Sequence, residues 1–88
     1  MNILILGDVV GLAGRRVLKK NISDIIKINS IDFCVVNGEN SADDGHGITN
    51  EIADEFFSLG VDVITSGNHI WDQKETANFI EKEKRLLR

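Results

Sequence analysis

Three short apolar runs punctuate the chain: Asn2–Leu6 (NILIL), Ile31–Asn37 (IDFCVVN) and Val61–Thr65 (VDVIT). Each is rich in Ile and Val and is flanked by Gly, Asn, Asp or Ser. Near-continuous runs of this length predict parallel strands covered on both faces. Between them the period changes to a helical one. Val17, Leu18, Ile22, Ile25, Ile26 and Asn29 share a stripe, which predicts an amphipathic helix from about Gly14 to Asn29. Ile48, Ile52, Phe56 and Leu59 predict a second helix, with Thr49 as N-cap and Gly60 as its stop. A third helix is predicted to open at Gln73, with Asp72 as N-cap and Glu75 at capping-box spacing, and to fray in its mixed-charge tail Glu81–Arg85.

Strand, helix, strand, helix, strand, helix defines the fold class. The chain is α/β, three parallel strands alternating with helices through right-handed crossovers. Three helices hardly supply the two layers that strands buried on both faces require. The pattern therefore reads as the opening part of a larger sheet.

Length and composition sharpen this reading. At 88 residues, 42% hydrophobic and 27% charged, the chain is at most one small domain. One cysteine, Cys34, rules out an internal disulfide framework and a cysteine-built zinc site, and it fits a reducing cytoplasm. The N-terminal run lacks a basic n-region and meets Asp8 early, unlike a signal peptide, and no apolar run approaches the roughly 20 residues of a membrane span. Charge is uneven. No Lys or Arg occurs from Ile28 to Gln73, whereas Asp32, Glu39, Asp43, Asp44, Glu51, Asp54, Glu55, Asp62 and Asp72 all lie there. An acidic middle favours cations and argues against binding of a nucleic-acid duplex, which needs a basic stripe.

Ligands of parallel α/β sheets sit at the carboxyl ends of the strands. Here those ends deliver Gly7-Asp8, Asn37-Gly38-Glu39-Asn40 and Ser66-Gly67-Asn68-His69. Adjacent strands lie about 4.8 Å apart, so these groups converge if the strands are neighbours. Two carboxylates, two amides and an imidazole suit Mn, Fe, Mg or Zn held by oxygen. Glycines before Asp8, Glu39 and Asn68 allow tight turns and leave room for substrate. Each group also has a plainer reading: Asp8 as a cap of a helix starting near Val9, Glu39 and Asn40 as turn residues, Asn68 and His69 as helix-entry residues. Cys34, Trp71 and the Phe56-Phe57 pair read as core, and His46 as a solvated loop histidine. Arg15 and Arg16 could reach a phosphate from the start of the first helix, but read first as a solvated helix face.

Leu6-Gly7-Asp8-Val9-Val10-Gly11, Asn37-Gly38-Glu39-Asn40-Ser41-Ala42 and Gly60 through Asp72, with its Ser66-Gly67-Asn68-His69-Ile70-Trp71-Asp72, resemble the YmdB-like bacterial metallophosphoesterases of the calcineurin-like superfamily. The resemblance runs over the whole chain. It implies a phosphodiesterase acting on phosphodiesters, notably 2′,3′-cyclic nucleotides, through two divalent metal ions, Mn or Fe first and Mg or Zn next. Asp8 would bind one metal, Glu39 would bridge both, Asn68 would bind the second and Asn40 would add a ligand. His69 would stand near the phosphate and protonate or stabilise the leaving oxygen. Two metals would clamp the phosphate and hold a hydroxide for in-line attack. Val10 stands where the wider superfamily has the histidine of Asp-x-His, and Glu39 stands where it has Asp; both are features of the YmdB-like branch. The resemblance also implies that residues 1–88 are the N-terminal portion of the domain, with further metal-ligand histidines beyond it. Such a chain, with four oxygen-type ligands and no metal-bound histidine, is expected to bind metal weakly and to be a weak catalyst alone, and its exposed far sheet face to favour a homo-oligomer or the remaining portion.

Two other readings stand beside this one. Gly7, Gly11 and Gly14 after the first strand suit a phosphate- or nucleotide-binding module, although the spacing is neither Gly-x-Gly-x-x-Gly nor a P-loop. A non-catalytic interaction fragment would retain the motif residues without a working site.

Overall fold

A computed structural model of the chain describes residues 1–67, 79–80 and 82–87. In chain order the elements are β1 (Ile3–Leu6), α1 (Gly11–Ile28), β2 (Phe33–Asn37), α2 (Asn50–Ser58), β3 (Val63–Thr65) and β4 (Leu86–Leu87). The predicted opening of a third helix at Asp72 and Gln73 lies outside the described residues, as does Trp71.

The four strands form one sheet in the order β1-β2-β3-β4, and every neighbouring pair is parallel. Sequential parallel strands joined by crossovers of one hand place their helices on a single face. The core has that form. Cys34, Val36, Ile64 and Leu86 from the strands join Leu18 and Ile22 of α1 and Ile52, Ala53 and Phe56 of α2 in one cluster.

Both helices form where the apolar stripes lie, and their ends differ in how they are fixed. α1 begins three residues before the expected Gly14. A left-handed Gly11 (φ +61°) swings the chain out of the loop after β1, and Val10 occupies the N-cap without a side-chain hydrogen bond. Asp8 is therefore not a helix cap. α2 starts as expected: the Thr49 hydroxyl oxygen accepts from the Ile52 N–H at 3.2 Å. It stops at Gly60, whose φ of +107° an L side chain rarely adopts.

One expectation needs correction. The tail after Phe79 enters the sheet instead of continuing a helix. Leu86 pairs with Ile64 and Leu87 with Thr65, and the Ile64 N–H donates to the Arg85 carbonyl at 2.8 Å. The buried Leu86 side chain anchors this two-residue strand. Next to it the Arg85 guanidinium stacks 3.8 Å above the Phe57 ring and pairs with Glu83 at 2.8 Å. These hydrogen bonds from Arg85 hold the Glu83 carboxyl below its usual range. Two leucines after five charged residues carry no readable period, which is why the strand is invisible in the sequence.

The two faces of the sheet differ, as expected where the helices supply a single covering layer: along β1 exposed and half-buried residues alternate. Leu4 and Leu6 pack onto the core, whereas Ile3 and Ile5 are 54% and 74% exposed. The register sets Ile3 beside Phe33, Ile5 beside Val35, Val35 beside Val63, and Leu87 beside Thr65. One face of the sheet is thus apolar and uncovered among the described residues. Cys34 lies on the covered face as a free thiol, as expected for a core residue, and its burial, with the Asp62 charge adding, pushes its pKa up.

This asymmetry gives opposite expectations for two isoleucines. Ile22→Ala should cost about 2–5 kcal/mol by opening the core. Ile5→Lys should change stability by no more than about 0.5 kcal/mol and reduce self-association. Urea denaturation and sedimentation velocity check both.

Candidate metal centre

The register places three strand ends side by side. Leu6 pairs with Val36 and Asn37 with Thr65, so Asp8, Glu39 and Gly67 all follow directly at the same rim. Backbone bonds continue the alignment past the strands. The Val9 N–H donates to the Asn37 carbonyl (3.2 Å), the Gly38 N–H to Thr65 (2.9 Å) and the Gly11 N–H to Asn40 (2.9 Å).

Asp8 and Asn40 meet directly. The Asn40 amide nitrogen lies 3.2 and 3.0 Å from the two carboxylate oxygens of the exposed Asp8. Glu39 is half-buried, and among the described residues nothing hydrogen-bonds its carboxylate. It lies instead over the backbone at the end of β3. A Cβ added at Gly67 would come within 2.5 Å of its Oε2. Neither Asp8 nor Glu39 is paired with Lys or Arg among the described residues. At the end of β2 the buried Oδ1 of Asn37 has no hydrogen-bond donor among the described residues.

The glycines before the site residues act differently from the turn role expected of them. None of the three has a left-handed backbone. Gly38 is glycine because a Cβ there would press within 2.9 Å of Ile64 in the core, and Gly67 because the Glu39 carboxylate occupies that space. At Gly7 the surrounding space is open.

These residues fit a hard divalent cation in donor chemistry. Two carboxylates without protein counter-cations and one amide offer only oxygen ligands. Among the described residues, no group of three or more His, Cys, Asp or Glu side chains is gathered for a metal. Asn68 and His69 lie outside the described residues. His46 is exposed in its loop, where its backbone N–H donates to Asp44 at 2.9 Å. The start of α1 offers a phosphate less than the glycine spacing suggests, because the Gly11 N–H is already engaged by Asn40.

Arg15 departs from its expected place on a solvated face. Its side chain is only 11% exposed. One guanidinium nitrogen donates to the Ser41 carbonyl and the other to the Asp43 carboxylate, both at 2.6 Å. Helical periodicity alone does not reveal this, since the partner loop is distant in sequence.

A parallel sheet with helices crossing between its strands and carboxylates at its carboxyl rim is the opening of the calcineurin-like α/β phosphoesterase fold. The model of the YmdB-like protein family matches residues 4–88, and the chain belongs to that family. It is 41% identical over 88 residues to a 2′,3′-cyclic-nucleotide 2′-phosphodiesterase of Bacillus subtilis, covering all of this chain and 33% of the relative. A crystal structure described as a novel phosphatase, from Mycoplasma pneumoniae, superposes with a TM-score of 0.91 at 35% identity, over 98% of this chain and 30% of that one. A hypothetical protein from Thermus thermophilus gives 0.89 at 33% identity, over 100% and 33%. The chain spans about a third of the length of these relatives.

Gly67→Ala tests the cradle. The atoms nearest the added methyl all belong to the movable end of Glu39, so the unfolding midpoint should barely change. Mn²⁺ affinity should fall about tenfold or more, as it does when support of a ligand is lost. Thermal melts and a Mn²⁺ titration read the two effects separately.

Proposed function

We propose that the chain is the N-terminal portion of a metal-dependent phosphodiesterase domain that hydrolyses phosphodiesters, with 2′,3′-cyclic nucleotides as the substrate class. The observation that carries this reading is the meeting of Asp8 and Asn40 beside the cradled Glu39 at one sheet rim. The similarity to the Bacillus subtilis 2′,3′-cyclic-nucleotide 2′-phosphodiesterase supports the substrate class.

In this reading Asp8, Glu39, Asn40 and Asn68 would hold two divalent ions, Mn or Fe first, Glu39 serving as a ligand to both. Bound there, the ions supply charge neutralisation at the phosphate and activation of water. The chain's own groups prepare the site. Asn40 holds both Asp8 oxygens in one orientation, and Gly67 leaves the Glu39 carboxylate its space over β3. His69 follows β3 by a few residues and delivers a proton to the leaving oxygen. The reaction is placed in the cytoplasm, in keeping with the single cysteine, a buried free thiol. Among the described residues no helix is long and apolar enough to cross a membrane.

The uncovered sheet face supports the assignment as a portion of a domain. Ile3, Ile5, Phe33 and Leu87 present an apolar surface of the kind that a second layer covers. We place against it polypeptide equivalent to the rest of the relatives' length, which also brings the further histidines that the resemblance implies. Alone, the chain is a weak catalyst.

The test combines this chain with the remaining two-thirds of the Bacillus subtilis relative, expressed separately, and follows 2′,3′-cyclic AMP. Mn²⁺-dependent hydrolysis is expected from the mixture and only weakly from the chain, and Asp8→Asn or His69→Ala should abolish it. Hydrolysis indifferent to metal, or none in the mixture, would contradict the proposal.

A further inference from the structure

Arg15 forms a link between the two halves of the site that the sequence reading assigned to solvent. It projects from the second turn of α1, the helix that follows Asp8, and reaches the loop that follows Asn40. The two bonds it makes there differ in kind. Asp43 is 76% exposed, so that ion pair contributes little by itself. Ser41 is fully buried, and its carbonyl receives a charged donor at 2.6 Å one residue beyond Asn40. Near a helix N-terminus a cation gains nothing from the helix dipole, and α1 has no acid in its first turn to offset it. The contacts to the loop account for the placement of this guanidinium.

That loop is otherwise held by its own backbone. The Ser41 N–H and hydroxyl both donate to the Gly38 carbonyl, Ala42 N–H donates to Gly47, and Gly47 N–H donates to Glu39. These bonds give the loop its shape but tie it mostly to itself. Across to α1 run the bond from the Gly11 N–H to the Asn40 carbonyl and the fork of Arg15.

We propose that Arg15 is a positioning residue for Glu39 and Asn40. It fixes the loop behind them against α1, and thereby their spacing from Asp8, a role that rests on the metal-site reading above. Arg15 touches neither metal nor substrate and acts through the Ser41 carbonyl. A lysine replaces the fork with a single point donor and so preserves the role only in part.

The experiment compares the chain with its Arg15→Ala, Arg15→Lys and Asp43→Asn variants, each well below its unfolding midpoint. Mn²⁺ dissociation constants and backbone amide hydrogen exchange are the two readouts. Arg15→Ala should weaken Mn²⁺ binding about 10- to 100-fold, Arg15→Lys should fall between it and the parent, and Asp43→Asn should stay close to the parent. Exchange should accelerate at the Gly11, Ala42 and Gly47 amides and remain unchanged at Val36 and Ile64. A merely structural role would lower the melting temperature and speed all these amides together, with Mn²⁺ affinity of the folded protein unaltered, and that result would overturn the proposal. If the parent chain binds no Mn²⁺, the metal-site reading fails, and exchange alone judges Arg15: unchanged rates at Gly11, Ala42 and Gly47 would sink the positioning role. Should Arg15→Ala not fold, Arg15→Lys carries the same comparison.

Discussion

Parallel pairing in a single register is the constraint on which the rest depends. Because β1, β2 and β3 run the same way and end level, three segments distant in sequence leave the sheet at one rim. An antiparallel arrangement would send Asp8 and Glu39 to opposite ends. The backbone bonds from Val9 to Asn37 and from Gly38 to Thr65 carry the alignment one step further, to the residues that bear the chemistry. Polar groups are tolerable there because the rim is where the pleated ladder stops and side chains meet solvent.

The same pairing explains the lopsided core. Sequential strand order sends both α1 and α2 to one face, and Phe56, Ile22, Ile64 and Val36 fill the space between. The opposite face, with Ile3, Ile5 and Phe33, has strand chemistry without a covering layer. Near-continuous apolar runs therefore carry two messages at once. They mark the strands, and they leave one apolar face that the described elements do not cover.

Sequence patterning was a good guide where one interaction dominates. Thr49 caps α2 through its own hydroxyl, and the Ile and Val runs became β1, β2 and β3. That Asp8 and Asn40 leave strand ends able to converge was legible, because each directly follows an apolar run; their direct contact was not. Features that rest on distant partners were not legible. β4 depends on Leu86 finding a gap beside Ile64, Arg15 is drawn inward by a loop carbonyl at Ser41, and Gly67 is explained by the carboxylate of Glu39. None of these has a local signature, since each is a contact across the fold.

Crystals of the chain grown with Mn²⁺ and measured at the manganese absorption edge would address the central claim most directly. The account predicts an anomalous peak at the strand rim within coordinating distance of the Asp8 and Glu39 carboxylates. Manganese bound elsewhere, or a rim without it while Asp8 and Asn40 keep their mutual contact, would contradict the account.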